Sequence, residues 1–494
     1  MIDARAPAWT DWVGGFTSHG RLFHLKGDGP LRDLLVEAWC HRGGLNRVDE
    51  WQVQALSILP DLDLQAMTGR EVLLQVRRAD GELQEHAAVV TRAVVLDSDG
   101  GFCRYRLEAQ SWLGLLAHHC RSQAWQDIGV MEVIDSVLSA HTAVGDWRWA
   151  ADVAAHLQQS PFGALREYLV QYRESDLAFV QRLLAEEGLI YRFERNPGSP
   201  RGHRLVILAD SANEDSCPED PSSASALGGR GLRFHRAAID EPMDTIQAFG
   251  GRRQFHTSTA TVLAHDPDWR RSTTATLPTQ GAVGGENAPR LEHYDPLPLR
   301  TFVTAAQAER AALLHMQALE SREKAWLGYG TVRTLSAGTT FHLTQSTLDA
   351  LQAALRETGG TLGLGAPVDP HRRHRFLVTE VIEAGLNNLP KGLGDALAGP
   401  QAAQRRVAAL MPGWVDAPMR RQLVQSGYAN HFVCTRADVP WRPPVRGVNG
   451  LPGGAGINGL PGGLYGDDAT PAACRYSQHA ASLLLESMEG AGAR

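Results

Sequence analysis

The sequence predicts a mainly β fold with added helices, and three observations carry that expectation. Its 494 residues include 50 glycines and 26 prolines, enough turn formers to punctuate many short strands. Glu71 to Arg78 precedes Asp80-Gly81, a two-residue hairpin signal, and His86 to Leu96 turns around Asp99-Gly100. Phe102 to Gln110 then alternates, with Cys103, Tyr105, Leu107 and Ala109 opposite Arg104, Arg106 and Glu108, the pattern of a half-buried strand. Consecutive hairpins of this kind predict a barrel or curled sheet, which leaves no exposed edge. The chain is too long for one core, and its size predicts roughly two to four domains.

Composition narrows the function. Hydrophobic residues at 43% and charged residues at 21% describe an ordinary soluble globular protein. The net charge of −7 comes from 48 basic and 55 acidic side chains mixed along the chain, unlike the clustered basic face of a nucleic-acid binder. Cys40, Cys103, Cys120, Cys217, Cys434 and Cys474 are scattered, which predicts reduced thiols in place of a disulfide or zinc framework. The opening MIDARAPAWTDW has no basic flank followed by an apolar block, and no apolar run approaches the ~18 residues of a membrane span. The expectation is a protein made in the cytoplasm that leaves, if it does, without an N-terminal signal.

The remaining elements follow in order. Arg21 to Leu25 reads as a strand, Leu31, Leu34, Leu35, Ala38 and Trp39 as a short amphipathic helix, and Trp51 to Leu56 as another strand. Val130, Val133, Ile134, Val137 and Leu138 keep helical spacing, so Gly129 to Ala140 is a helix. Tyr168 to Val170 suits a strand. Ser175 then reads as a helix N-cap, with Glu174 and Asp176 beside the positive end of the helix dipole. Leu177, Val180 and Leu184, widened by Phe179 and Leu183, form the apolar stripe, and Gly188 ends the helix before the strand Leu189 to Phe193. His203 to Asp210 is a further strand. Ser211 to Gly231 reads as a mobile loop and domain boundary, and Ala275 to Pro289 as a flexible low-complexity stretch. A second strand-rich segment starts at Leu232. Thr304 and Gln307 form a capping box for a helix ending near Glu323, with strands at Trp326 to Gly330, Thr340 to Leu343 and His374 to Ile382. Pro400 to Leu410 and Pro418 to Gln425 are helical stretches of an insertion. Asn449 to Gly454 repeats as Asn458 to Gly463 in a Gly/Pro-rich flexible tail, before a short helix at Ala480 to Met488. The expected divisions are 1–125, 126–215, 216–390, 391–430 and 431–494.

No catalytic, cofactor-binding or metal-binding residue is expected. His118-His119-Cys120 lacks the i, i+2 or i, i+4 spacing of ligands on one element and a matching cluster elsewhere, so it reads as surface or packing. His371, Arg372, Arg373, His374 and Arg375 read as a solvated basic loop. The chain contains neither a Gly-x-Ser-x-Gly elbow nor a P-loop, and Glu186-Glu187 are adjacent on a helix end instead of facing across a cleft.

The stretch Arg166 to Glu194 closely resembles the VgrG family, the spike proteins of bacterial type VI secretion, which are related to the hub at the base of contractile phage tail spikes. Gln171, Tyr172, Arg173, Glu174, Ser175, Asp176, Phe179, Arg182, Leu183, Leu184, Glu186, Glu187, Gly188 and Tyr191 carry the resemblance. Gln126-Asp127, Tyr294-Asp295, Gly328, Gly330, Gly338-Thr339, Phe341 to Leu343 and the turn Asn387-Asn388-Leu389-Pro390 follow in the same order, so it extends from about residue 20 to 390, with a further patch at Phe432 to Pro444. The resemblance implies two related β-barrel hub domains decorated by helices, assembled as a homotrimer that joins an inner tube to a spike and acts mechanically. Implied partners are the inner-tube protein, baseplate components, and an effector or a separately encoded needle. No nucleic acid and no cofactor are implied, and release is through the type VI apparatus. After Pro444 the sequence departs from the family, whose members continue into a small OB-type domain and a β-helical needle. Two alternatives accompany this reading: a truncated remnant, and a cell-wall hydrolase.

Overall fold

The computed structural model describes residues 20–98, 102–225, 231–234, 244–281, 287–297, 301–344, 375–389 and 406–444. The first strands are β1 (Phe23–Gly27), β2 (Leu35–Gly44), β3 (Glu50–Ser57), β4 (Glu71–Arg77), β5 (Leu83–Ser98) and β6 (Cys103–Gln110). They are followed by β7 (Cys120–Ile128), helix α1 (Val130–Ser139), β8 (Trp147–Trp149), β9 (Arg166–Ser175), helix α2 (Asp176–Glu186), β10 (Ile190–Arg195) and β11 (His203–Leu208). The second strand-rich part holds β12 (Leu232–Arg233), β13 (Ile246–Arg253), β14 (Thr259–Asp266), β15 (Arg271–Pro278), β16 (Glu292–Pro296), helix α3 (Ala305–Glu323), β17 (Lys324–Gly330) and β18 (Thr340–Thr344). Last come β19 (Arg375–Leu386), helix α4 (Ala417–Ser426) and β20 (Tyr428–Arg436).

Twelve strands form one continuous sheet built from two rings. The first ring runs β2-β3-β6-β5-β4-β1, and the second runs β12-β18-β19-β20-β17-β13. Phe23, Trp39, Val53, Leu74, Val90, Tyr105 and Leu107 fill the first, and Ile246, Phe341, Phe376, Val378, Phe432 and Cys434 fill the second. The alternation read in Phe102 to Gln110 is the inside–outside alternation of β6, whose odd-numbered residues are buried.

The two rings close differently. In the second, Phe234 just after β12 bridges Ile246 at the start of β13. In the first, a side chain spans the gap between β1 and β2. The Asn387 amide nitrogen donates to the carbonyls of Phe23 (3.0 Å) and Val36 (2.8 Å), while its oxygen accepts from the amides of Leu22 (3.1 Å) and Phe23 (3.3 Å). Asn388 adds bonds to the Leu22 amide (3.0 Å) and the Gly20 carbonyl (3.1 Å). Both asparagines belong to the turn singled out in the sequence, and they hold the first ring shut. Pro390 of the same turn lies outside the described residues.

The rings share the antiparallel pairing of β2 with β19, from Ala38 opposite Leu386 to Gly44 opposite Glu380. His41 and Glu383 face each other there, with Nδ1 to Oε2 at 2.8 Å, and the Tyr428 hydroxyl donates to the other Glu383 oxygen at 2.7 Å. His41 also stacks on Trp51 at 4.4 Å. Burial raises the Glu383 carboxyl, but the bond from His41 and the nearby His86 outweigh it and leave the group below its ordinary value.

Three expectations are corrected. Leu31 lies in a 3-10 turn at Gly29–Asp33 that Leu34 caps, and Leu35, Ala38 and Trp39 belong to strand β2, not to a helix. Every residue of β2 is buried, so both faces are apolar or paired and the period-2 signal disappears. Ala275 to Pro278 lie within β15. The described part of the predicted mobile loop, residues 211–225, is packed down, with Cys217, Asp220 and Ser223 fully buried. Of the two helical stretches expected after Lys391, α4 covers Pro418 to Gln425, and the described residues 406–410 of the first are helical. With Val407, Leu410, Met411 and Val415, Met419 and Leu423 of α4 cover Ala38, Cys40, Ala384 and Ala429 on the shared strands.

Replacing the clip by Asn387→Ala leaves the Phe23 and Val36 carbonyls and the Phe23 amide without their side-chain partner. We expect a loss of about 2–4 kcal/mol in urea denaturation, with the far-UV spectrum of the folded state unchanged.

Candidate functional site

The family-like segment folds as the sequence predicts, and its polar residues converge on one buried carboxylate. The Ser175 hydroxyl accepts from the Ala178 amide (3.2 Å) as the N-cap of α2. Asp176 is therefore the first helical residue, where the helix dipole favours an anion. Asp176 is completely buried. Its Oδ1 accepts from Gln171 Nε2 (2.8 Å) and Arg121 Nε (3.1 Å). Its Oδ2 lies 2.8 Å from Arg121 Nη2, 2.8 Å from His119 Nδ1 and 2.7 Å from His141 Nε2.

Each donor arrives from a different element or from the turn beside one. His119 follows the 3-10 turn Trp112–His118, and its carbonyl accepts the Asp176 amide at 2.9 Å. Arg121 lies on β7, which pairs with β9, and Gln171 lies on β9 itself. His141 follows the C-terminus of α1. Burial pushes the Asp176 carboxyl up, yet the bonds from Arg121, Gln171, His141 and His119 outweigh burial and hold it at about 2.

The other motif residues brace this node. Arg182 on α2 forks onto Glu174 through Nε (3.1 Å) and Nη2 (2.9 Å), which pins the strand end just before the cap. Arg173 has a left-handed backbone (φ 48°), and its amide donates to the Ser122 hydroxyl at 3.1 Å. Phe179 stacks on Trp125 with ring centroids 5.2 Å apart, and Leu183 and Leu184 are buried in the same core as α1. Arg166 pairs with the buried Glu187 at 2.5 Å; burial raises the Glu187 carboxyl, with Arg166 opposing. Gly188 takes φ 68°, and a Cβ there would lie 2.9 Å from Leu314 on α3. The Tyr191 hydroxyl accepts from Gln181 (2.6 Å), while its amide and carbonyl pair with Asn46 beyond β2 at 3.0 Å each. Tyr172 and Arg173 are the exposed members, with the Arg173 guanidinium over the Tyr172 ring.

Sequence reasoning passed over His119, Arg121, His141 and Asn46. His119 stood in a triplet with no visible partner, because its partners Asp176 and His141 come from other elements. Arg121 and Asn46 carried no motif at all. One signal was available: His119 and Arg121 are two residues apart where β7 begins, a spacing that sends both side chains the same way. Among the described residues, His119, His141 and Asp176 form the group whose ligand atoms lie within 4.8 Å of one another. His371 and His374 lie outside the described residues.

Asp176→Asn removes the anion beneath Arg121, His119 and His141 and is expected to cost about 2–4 kcal/mol in chemical denaturation. The Asp176 carboxyl titrates lower in the folded chain than its ordinary 3.8, so its contribution is present above 3.8 and is lost as pH falls through about 2. The stability gap between the parent and the Asn variant should therefore narrow over that acid range. A gap that widened on acidification would contradict the assignment.

Known proteins agree with this architecture. The family model for the phage tail baseplate hub (GPD) matches residues 42–356, well over half of the chain. The type VI secretion system spike protein VgrG5 of Pseudomonas aeruginosa is 26% identical over 424 residues, covering 86% of this chain and 45% of that protein. VgrG4b of the same organism is 27% identical over 425 residues, covering 86% and 44%. The chain thus spans a little under half the length of these relatives. Among solved structures, the E. coli c3393 protein, described as a type VI secretion component similar to the T4 tail proteins gp27 and gp5, superposes with a TM-score of 0.51. It is 14% identical, with 85% of this chain and 80% of that one covered. The chain belongs to the phage tail baseplate hub family and is VgrG-like within it.

Proposed function

We propose that this chain is the hub base of a type VI spike, a trimeric adaptor that joins the inner tube to the puncturing needle and works mechanically, not as a catalyst. The observation that carries this reading is the pair of six-strand rings fused through β2 and β19. Three copies of a chain with two related rings present six similar units toward a six-fold tube, and three chains toward a three-fold spike. A body that transmits axial load in this way needs its two rings fixed to each other, and a shared sheet supplies that stiffness.

The surface supports the same reading. A closed cyclic trimer needs two different complementary patches on each chain. Trp269, in the turn between β14 and β15, is 75% exposed, and Leu291 just before β16 and Tyr294 on β16 are more than half exposed. Leu165 and Tyr172 are exposed on the separate β7-β9 ribbon. Exposed aromatic and aliphatic side chains of this size suit surfaces that meet another chain. The inner-tube protein, baseplate components, and an effector or a separately encoded needle are the implied partners, with export alongside the expelled tube.

Light scattering on the purified chain at high concentration tests this reading. The expected mass is three times the monomer, and Trp269→Glu combined with Tyr294→Glu should shift it to one. A parent chain that stays monomeric and fails to co-purify with the co-expressed inner-tube protein would contradict the proposal.

A further inference from the structure

The Asp176 node holds more donors than a carboxylate readily accepts. Three of them, Arg121 Nη2, His119 Nδ1 and His141 Nε2, converge on the single oxygen Oδ2 at 2.7–2.8 Å. An ionised carboxylate offers about four acceptor positions in total, two per oxygen, so one donor on Oδ2 is surplus. Two of the three are imidazole nitrogens, which can also present a lone pair. We propose that His119, His141 and Asp176 form a binding site for a borderline divalent transition-metal ion such as Zn2+.

The ligand set favours that class of ion. Two imidazoles and one carboxylate suit zinc and its neighbours, whereas magnesium and calcium select oxygen ligands. The surrounding bonds also resemble a prepared site. Ligating carboxylates are normally held by further hydrogen bonds, and here Gln171 and Arg121 Nε fix Oδ1, leaving Oδ2 to face the two rings. The backbones are fixed too: the His119 carbonyl accepts the Asp176 amide, and the His141 carbonyl accepts the amides of Val144 and Gly145 at 2.9 Å. The His119 side chain is 49% exposed, which opens a route from solvent to a buried oxygen. On binding, the proton on each coordinating nitrogen moves to the opposite ring nitrogen, and the rings draw back from their 2.7–2.8 Å contacts with Oδ2 to admit the ion. Arg121 is the internal competitor, since its Nη2 shares that oxygen.

This competition makes the test directional. Metal-stripped full-length chain would be titrated with Co2+, followed by ligand-field absorption, and with Zn2+ against a chromophoric chelator. The expected result is one ion per chain with a tetrahedral or five-coordinate cobalt spectrum. Affinity should fall about tenfold or more in His119→Ala and in His141→Ala, and rise in Arg121→Gln, where the competing cation is gone. Circular dichroism on each variant checks that the fold is retained, and His119, being half exposed, is the variant least able to unfold it. Absence of saturable binding in both the parent and Arg121→Gln would overturn the proposal. So would binding that persists unchanged in the folded His119→Ala, His141→Ala double variant, which would place the ion on other histidines.

Discussion

The pairing of β2 with β19 is the constraint on which the rest of the structure depends. It joins residues more than 330 positions apart and turns two strand rings into one sheet. Because β2 is central and buried along its whole length, it cannot leave the sheet without exposing both ring interiors. Its polar contact is a buried chain of His41, Glu383 and Tyr428, in which both Glu383 oxygens are hydrogen-bonded. A buried charge of this kind tolerates one arrangement, since removing either partner leaves the other unpaired in a low-dielectric interior. The seam is thereby specified in register as well as stabilised by burial.

The helical module is anchored to this seam and not merely attached to it. The turn after β2 carries Leu45, whose amide donates to the Thr379 carbonyl on β19 at 2.9 Å, and Asn46, which pairs with Tyr191 and also donates to the Leu189 carbonyl at 3.0 Å. One short turn therefore touches both rings and the module. From the other side, Arg442 donates to the Gly188 carbonyl (2.9 Å) and to Gln317 on α3 (3.0 Å). Burial lowers the Arg442 guanidinium to about 10, and the neighbouring Asp210 and Asp152 favour its charge. Within the module the Asp176 carboxylate gathers β7, β9, α1 and α2 around one oxygen pair. The family motif is thus a set of polar fasteners around a helix N-terminus, which explains why so many of its residues are charged yet buried.

Much of this was legible in the sequence, and the parts that were not have two causes. Local chemistry was readable: the Asp80-Gly81 hairpin, the Ser175 cap, the Thr304–Gln307 capping box and the helix of α1 all rest on neighbours within a turn of one another. The Leu34 to Trp39 stretch misled because a strand buried on both faces loses its alternation and borrows a helical spacing by chance. The Asp176 node was hidden because its histidines lie 57 and 35 residues away. Asn387 and Asn388 were visible as a turn motif, but their work as a clip on β1 spans more than 360 residues. Sequence distance and burial on both faces of one strand, not chemical subtlety, set the limit.

Native-state hydrogen exchange on β2 and β19 tests the central claim most directly, because strands of one cooperative sheet must open together. Peptides covering Leu35–Gly44 and Arg375–Leu386 should show matched, slow exchange. In Glu383→Gln both should lose protection by the same factor. If one strand exchanged orders of magnitude faster than the other, or only one responded to that substitution, the two rings would be independent bodies and the account of a fused hub would be wrong.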